Sequence, residues 1–299
     1  MIRLAHFSDI HVTAPTLGWQ REDWFNKRLT SWLNLRVFGR GSKFAHSDEV
    51  ARRMMDDIAA RDIDHLIFSG DATALGFESE VRRAAEVLRV GELAIPGLAI
   101  PGNHDYCTQT AAASGHFERS FSAWQSGRRI DEHHYPFAQP VGPIWLIAVN
   151  AATGNRLAWD AGGTIGTAQL ERLKRLLGEL EPGIKILVLH YPICLKDGQL
   201  EADLHGLRDL DLLLDIAHAA GVNLWLHGHR HRPYHFQQTA HARFPVICAG
   251  SATETGLWSY GEYTIGDKTL TGLRREYDPA AKQFRDAETF TLNLALPKN

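Results

Sequence analysis

Residues 93–105 read Leu-Ala-Ile-Pro-Gly-Leu-Ala-Ile-Pro-Gly-Asn-His-Asp. The apolar part, residues 93–100, is typical of a short buried strand, and Pro101 ends it. The four residues that follow are polar or turn-forming, and they stand at the mouth of a strand, where α/β sheets usually present their ligands. Taken alone, these four residues also fit an Asx-type turn with a capping residue. Other parts of the chain decide between the two interpretations.

The bulk composition is that of an ordinary globular protein, with 299 residues, 44% of them hydrophobic and 22% charged. The formal net charge of -3 argues against a generic nucleic-acid binder, which normally carries a basic excess. Cys107, Cys194 and Cys248 are odd in number and far apart, which favours a reducing compartment over a disulfide framework. The first strand pattern begins at Ile2, and no apolar run approaches the roughly 20 residues of a membrane span. We therefore expect no signal peptide and a cytoplasmic location.

Strand-like and helix-like patterns alternate along most of the chain. Strands are predicted at 2–8, 65–69, 93–100, 143–150, 184–189 and 222–226, and helices at 47–61, 78–91, 166–180 and 207–220. Residues 137–142 read as turn-rich, and from residue 245 onward the pattern predicts short strands with glycine and aspartate turns, one of them at 266–267. This alternation predicts an α/β sandwich with largely parallel pairing. We expect one domain over 1–299 with an inserted segment at 17–44.

Residues of the kind that bind metals follow five of the predicted strands. They are Asp9 and His11, Asp71, Asn103 and His104, His190, and finally His229 and His231. Residues two apart in an extended segment point to the same side, as Asp9 with His11 would, and glycines before three of the groups permit turns and close backbone approach. Imidazole nitrogen together with carboxylate oxygen suits Zn, Mn or Fe better than Ca or Mg. Seven candidate ligands, counted without His104, are too many for one tetrahedral site and suit two metals with a bridging carboxylate.

The order of these blocks resembles the calcineurin-like metallophosphoesterase superfamily, in its class III cyclic-nucleotide-phosphodiesterase-like branch. That family carries D-x-H, G-D, G-N-H-[DE], H and G-H-x-H, and all five blocks occur here in that order, within residues 2–252. The resemblance implies a four-layer α-β-β-α sandwich. It also implies two divalent or trivalent transition metal ions (Mn, Fe or Zn) as cofactors.

The resemblance further implies a role for each residue by its position in the motifs. The first metal would be held by Asp9, His11, Asp71 and His231, and the second by Asp71, Asn103, His190 and His229, with Asp71 as the bridge. Two ions about 3.5–4 Å apart can bind phosphate oxygens and acidify a bridging water. Asn103 and His104 would contact the substrate, and His104 would protonate the leaving oxygen or stabilise transition-state charge.

One position departs from the family pattern. Protein phosphatases of the family carry a second acid three residues after the bridging one, where it orients the catalytic histidine, and this chain has Ala74 there. We therefore expect another partner for His104, and a serine/threonine protein phosphatase is disfavoured. Asp105 is the nearby acid, and a role as a turn residue suits it at least as well.

The inserted segment at 17–44 mixes aromatic and basic residues. The helical pattern places Phe25, Leu29, Trp32 and Leu33 on one face, and the positive charges are Arg21, Lys27, Arg28, Arg36, Arg40 and Lys43. Because it follows the first metal motif directly, the segment is expected to overhang the site. Three interpretations remain open: a packed helical cap with solvated charges, a substrate lid, and an interfacial helix that touches anionic lipid.

The sequence thus favours a metal-dependent phosphoesterase that uses a metal-activated hydroxide on a phosphodiester or phosphomonoester, either cyclic-nucleotide-like or a small organic diester. A lipid-linked pyrophosphatase acting on a lipid A precursor type of substrate is the alternative enzyme, and it would bring peripheral membrane contact through 17–44. A catalytically silent binding or scaffold protein of the same fold is the alternative of a different class, although every ligand position is filled. The expected partner is a small-molecule phosphoester, with no nucleic acid.

Overall fold

Two six-stranded sheets form the centre of the molecule in a computed structural model that describes residues 1–266 and 268–295. The strands are β1 (Ile2–Phe7), β2 (His65–Phe68), β3 (Gly97–Ala99), β4 (Phe137–Val141), β5 (Ile144–Ala148), β6 (Ile184–Val188), β7 (Leu224–His227), β8 (Tyr234–Phe236), β9 (Val246–Cys248), β10 (Ser259–Gly266), β11 (Thr269–Asp278) and β12 (Gln283–Asn293). The first sheet has the order β12-β11-β10-β1-β2-β3, and the second has the order β4-β5-β6-β7-β9-β8.

Helices pack on the outer faces of both sheets and beside the edge at which the parallel strands end. They are α1 (Lys27–Arg36), α2 (Arg40–Lys43), α3 (Ser47–Ala59), α4 (Glu78–Val87), α5 (Gln109–Ser114), α6 (His116–Ser120), α7 (Thr167–Glu179) and α8 (Leu210–Ala219), with 3-10 turns at Arg21–Phe25 and Ser122–Trp124. No helix within the described residues has the length and apolarity needed to cross a bilayer.

The parallel strands explain why the ligand-type residues can meet. In the first sheet β1, β2 and β3 run parallel, and in the second β5, β6, β7 and β9 do so. The carboxyl ends of neighbouring parallel strands lie at one edge of a sheet, where α/β proteins place their sites. The chain segments that follow β1, β2, β3, β6 and β7 carry all the predicted ligands.

Alternate residues along the strands separate the layers. In β1, Leu4 packs toward the second sheet, whereas its neighbour Ala5 packs toward α3 and α4. The second sheet packs its other face on α7 and α8 through leucines such as Leu173 and Leu213. This burial on both faces of each sheet confirms the predicted four-layer α-β-β-α sandwich.

Three predicted elements differ from those observed. The strand predicted at 93–100 is shorter, at Gly97–Ala99. Residues 137–142, read as turn-rich, contain the edge strand β4, which tolerates Pro140 because an edge strand pairs on only one side.

The C-terminal strands are longer than predicted. Gly272 lies inside β11, where a Cβ would collide with the Phe290 ring, so this glycine serves packing and not a turn. Of the predicted turn at 266–267, Gly266 ends β10 and Asp267 lies outside the described residues.

The 17–44 segment packs differently from the predicted amphipathic helix. Asn26 caps α1 by accepting a hydrogen bond from the Arg28 backbone N–H at 2.8 Å, so the helix begins after Phe25, which is 90% exposed. The predicted face that includes Phe25 is therefore wrong. The side chains that α1 buries are Lys27, Arg28 and Leu35.

A buried ion network joins α3 to the C-terminal strands. Arg275 on β11 is 7% exposed and donates to Asp57 on α3 through Nε at 3.1 Å and Nη2 at 2.7 Å. Tyr260 on β10 donates to the same carboxylate at 2.6 Å. These contacts hold the outer helical layer on the first sheet.

We predict that Asp57→Ala lowers the free energy of unfolding by about 2 kcal/mol or more, because it removes the main partner of a buried guanidinium. Urea denaturation followed by circular dichroism measures the loss. The control is Asp56→Ala, whose exposed pair with Arg89 is worth less than about 1 kcal/mol. Equal unfolding midpoints for the two variants would contradict this account.

Candidate metal centre

The seven predicted ligands converge in the structure, and they do so on strained backbone. Among the described residues eight non-glycine residues have positive φ, and five of them are predicted ligands: Asp9, His11, Asp71, His229 and His231. Such conformations are costly for residues with a Cβ and cluster at functional sites. The motifs are therefore tight left-handed turns after the strands, and the expectation of an extended segment with period-two spacing is wrong for them.

Close backbone approach at two glycines lets the turns nest. A Cβ on Gly102 would overlap the Asp71 carboxylate, and a Cβ on Gly228 would overlap the Ser8 hydroxyl. The prediction that glycines before the ligand groups permit close approach is confirmed at both positions.

The first group of ligands gathers around the Asp9 and Asp71 carboxylates. His231 Nε2 lies 3.3 Å and His11 Nε2 lies 3.8 Å from Asp9 Oδ1, and the two Nε2 atoms are 3.1 Å apart. His11 Nε2 also lies 3.7 Å from Asp71 Oδ2. Asp9 Oδ1 is buried and has no hydrogen-bond partner among the described residues. A buried carboxylate oxygen needs a partner, and a bound cation would provide one here.

The second group shares Asp71. His190 Nε2 lies 3.3 Å from Asp71 Oδ2, the same oxygen that faces His11. His229 Nδ1 lies 3.3 Å from His190 Nε2 and 3.0 Å from Asn103 Oδ1. Asp71 therefore stands between the two groups, in the position of a bridging ligand.

Each of three imidazoles is held by its far nitrogen. His11 Nδ1 lies 3.2 Å from the Thr73 carbonyl, His190 Nδ1 lies 2.8 Å from the Ser69 carbonyl, and His231 Nδ1 contacts the Glu254 carboxylate. A carbonyl or carboxylate oxygen only accepts, so Nδ1 carries the proton in each ring. Nε2 then points at the carboxylates as a site for a cation, which is the arrangement of metal-binding histidines.

The charge states of His11, His229 and Asp71 agree with this assignment. Burial lowers the pKa of His11 and of His229 well below the ordinary value, so both rings are neutral, as metal ligands must be. Burial also opposes ionisation of Asp71, but His190 and His104 outweigh it and hold the pKa of that carboxyl well below its usual range. For His231, burial lowers the pKa, yet the Asp9 and Glu254 carboxylates raise it to about 9, so a cation would displace a proton there.

Compact clusters of potential ligand atoms are another sign that the residues fit metal ions. Three groups have ligand atoms within 4.8 Å of one another: Asp9 with His11 and His231, His11 with Asp71 and His104, and Asp9 with Asp71 and His190. His104 belongs to one group by distance alone. Its two ring nitrogens are engaged elsewhere, so we leave it outside the ligand set.

The partner of His104 is a backbone carbonyl. His104 Nδ1 lies 2.8 Å from the carbonyl oxygen of Ala74, the residue that stands where an acid was expected, and Nε2 lies 2.9 Å from Arg40 Nη2. Asp105 does not orient the ring. Its carboxylate accepts hydrogen bonds from the backbone N–H groups of Gly102 and Thr73, at 2.9 Å each. Asp105 therefore stabilises the turns, as the alternative interpretation of this residue predicts.

Two residues of the site carry no sequence motif that would have identified them. Glu254 lies in the loop between β9 and β10, and its backbone N–H donates to Ser251 Oγ at 2.9 Å. In the sequence, Arg40 is one of several basic residues of the 17–44 segment and nothing sets it apart from the others. Both reach the centre by folding, since neither lies within two residues of a ligand motif.

We predict that Glu254→Gln weakens metal affinity by about tenfold to a hundredfold, because the charged partner that fixes the His231 ring is lost. Competition with a chelator, followed by metal analysis, measures the change. The control, Glu288→Gln, alters an exposed acid paired with Arg274 and is expected to leave the affinity unchanged. Wild-type affinity in Glu254→Gln would show that the contact is structural only.

Known structures share this fold. A crystal structure of a dimetal phosphatase from Danio rerio aligns with 98% of this chain and 99% of that chain, with a TM-score of 0.65 and 13% sequence identity. A purple acid phosphatase from yellow lupin (Lupinus luteus) seeds aligns with 98% of this chain and 53% of that chain, with a TM-score of 0.59 and 14% identity. At these identities the likeness shows the fold.

Sequence comparison gives a more specific result. A probable cyclic nucleotide phosphodiesterase of Synechococcus sp. is 31% identical over 189 residues, which cover 62% of this chain and 64% of that relative. The match thus spans less than two thirds of the relative's length. The sequence model of the calcineurin-like phosphoesterase family matches residues 2–233, a range that contains all seven predicted ligands. The chain belongs to the calcineurin-like phosphoesterase family.

Proposed function

We propose that the protein is a metal-dependent phosphoesterase that hydrolyses a phosphodiester or phosphomonoester at a dinuclear centre. The observation that carries this proposal is the convergence of two ligand groups on Asp71, with Nε2 of His11 and of His190 facing the same carboxylate oxygen. Two ions bound there supply Lewis acidity to phosphate oxygens and to an attacking water.

The chain's own residues divide the work. We infer that Asp9, His11, Asp71 and His231 hold one ion, and that Asp71, Asn103, His190 and His229 hold the other. The Asn103 side chain, which is mostly buried, and His104, which is partly exposed, face the position of the phosphate. Mn, Fe and Zn suit this mixture of imidazole and carboxylate donors.

A groove beside His11 can receive the rest of the substrate. It has a volume of about 630 Å³ and is lined by apolar side chains such as Leu35 and Phe44 and by charged ones such as Arg36. This size is in the range of small-molecule sites. Similarity to a probable cyclic nucleotide phosphodiesterase supports a diester of nucleotide-like size as the first class to test.

We predict that Asp71→Asn and His229→Ala each reduce hydrolysis of an aryl phosphodiester by about a thousandfold or more, because each breaks the ligand set of an ion. The rate is measured with Mn, Fe or Zn, together with the metal content per chain and the thermal midpoint. The control, His133→Ala, changes an exposed histidine paired with Asp131 and is expected to keep full activity.

Full activity in either ligand variant would contradict the dinuclear assignment. Cyclic nucleotides, other diesters, monoesters and lipid diphosphates form the substrate panel. A wild-type protein that binds two metals and hydrolyses none of them would favour the catalytically silent binding protein.

A second candidate function has one supporting observation. The 17–44 segment exposes Trp24 (53%), Phe25 (90%), Val37 (63%) and Phe38 (77%), which is unusual for apolar side chains on one short segment. Exposed basic residues, including Arg21 and Arg36, accompany them. Aromatic side chains beside basic ones suit the surface of an anionic membrane, where a lipid-linked pyrophosphatase would meet its substrate.

For this candidate we predict that the protein sediments with phosphatidylglycerol vesicles and that Phe25→Ser with Phe38→Ser lowers the bound fraction at least about fivefold, since burial of two rings is lost. Leu212→Ser is the control because it removes an exposed apolar side chain from α8. Absence of vesicle binding in the wild type would eliminate the membrane interpretation and leave the small-molecule one intact.

A further inference from the structure

Arg40 places a guanidinium inside the metal centre. Its side chain is partly buried, and its one side-chain hydrogen bond among the described residues runs from Nη2 to His104 Nε2, at 2.9 Å. The residues described in the structure offer it no ion pair. The carboxylates that act on it without direct contact are Asp71, Asp9 and Glu254, and the proposed cations would neutralise the first two.

The segment that carries Arg40 is fastened to the centre. The Phe44 ring packs on the His11 ring, with centroids 4.6 Å apart, and the Lys43 carbonyl accepts a hydrogen bond from the Thr255 N–H at 2.7 Å. Lys43 Nζ lies 3.2 Å from Glu254, the partner of His231. Helix α2 is therefore held over the ligands, and Arg40 reaches His104 from a fixed base.

The hydrogen bond to His104 identifies the state of that ring. Arginine can only donate, so His104 Nε2 accepts and Nδ1 carries the proton that is given to the Ala74 carbonyl. While Arg40 occupies Nε2, His104 has no proton to give to a substrate. The Asp71 carboxylate lies within 4.8 Å of a His104 ring nitrogen, but the hydrogen-bond partners of the ring among the described residues are the neutral Ala74 carbonyl and Arg40, not a carboxylate.

Arg40 is partly buried and forms no ion pair among the described residues, so its planar fork is available to match phosphate oxygens. We propose that Arg40 is a substrate-binding residue that leaves His104 Nε2 and donates to a phosphate oxygen when a phosphoester enters. Arg40 then supplies the permanent positive charge on the substrate side of the site, and His104 becomes free to contact the substrate. This inference rests on the proposed phosphoesterase function.

The experiment measures inorganic phosphate binding to the metal-loaded full chain by calorimetry. Arg40→Ala is expected to weaken phosphate binding by about tenfold to a hundredfold, the range for losing a hydrogen bond to a charged group, and to lower kcat/KM on an aryl phosphodiester similarly. The phosphate affinity of Arg40→Lys is expected to lie between those of the wild type and Arg40→Ala, because an ammonium keeps the positive charge but lacks the planar fork of donors. Arg52→Ala, which changes an exposed arginine on α3 outside the 17–44 segment, is the control and is expected to equal the wild type.

A second comparison separates phosphate binding from mere positioning of His104. In a His104→Ala background, adding Arg40→Ala is expected to weaken phosphate binding further, because the guanidinium acts on phosphate directly. No further loss in that background would overturn the proposal, and so would phosphate affinity within about twofold of the wild type in Arg40→Ala alone. Loss of metal from Arg40→Ala would overturn it as well, by assigning Arg40 to the structure of the centre.

A result that contradicts the proposed function can be distinguished from one that contradicts the role of Arg40. A wild-type protein that hydrolyses no phosphoester contradicts the phosphoesterase, whereas phosphate affinity in the two backgrounds still decides the role of Arg40.

Discussion

The Asp71 carboxylate is the group around which the rest of the site is built. It is 1% exposed, and it faces His11 and His190 from one oxygen while the other accepts the backbone N–H of His104 at 2.8 Å. A buried carboxylate is tolerated only where donors or cations compensate it. The turns after β1, β3 and β6 supply those groups, and Gly102 leaves the space for the chain to approach.

The sheets stabilise a local geometry that is unfavourable by itself. Left-handed backbone at five ligand residues costs about 1 kcal/mol or more at each one. Those turns persist because the strands before them are buried on both faces, and because Asp105 binds the N–H groups of neighbouring loops. A ligand set on flexible loops would lose this preorganisation, which metal sites depend on.

The 17–44 segment belongs to the site and not only to the surface. Arg28, 7% exposed, donates to Asp23 at 2.6 Å and to the Gly76 carbonyl at 2.9 Å, so it joins α1 to the loop after β2. Of the three interpretations of the segment, the packed cap had solvated charges, and the buried Arg28 and Lys27 are not solvated. At the end of the segment, Lys43 of α2 contacts Glu254 and the adjoining Phe44 packs on His11. These contacts place Arg40 beside His104.

Much of the fold, and the convergence of the seven candidate ligands, could be predicted from sequence because both leave local patterns. Apolar runs that end in Gly-Asp, Gly-Asn-His-Asp or Gly-His-x-His mark strands that deliver polar residues to one edge, and the alternation of strands with helices indicates parallel pairing. Strand β4 and the long C-terminal strands were harder to predict, since Pro140 and Gly272 are turn signals that edge pairing and aromatic packing override. Only the tertiary structure decided which residues that are distant in sequence contact the side chains of the site. Glu254 on His231, the Ala74 carbonyl on His104 and Arg40 above them are contacts between residues 23 to 64 positions apart, and no local pattern encodes such contacts.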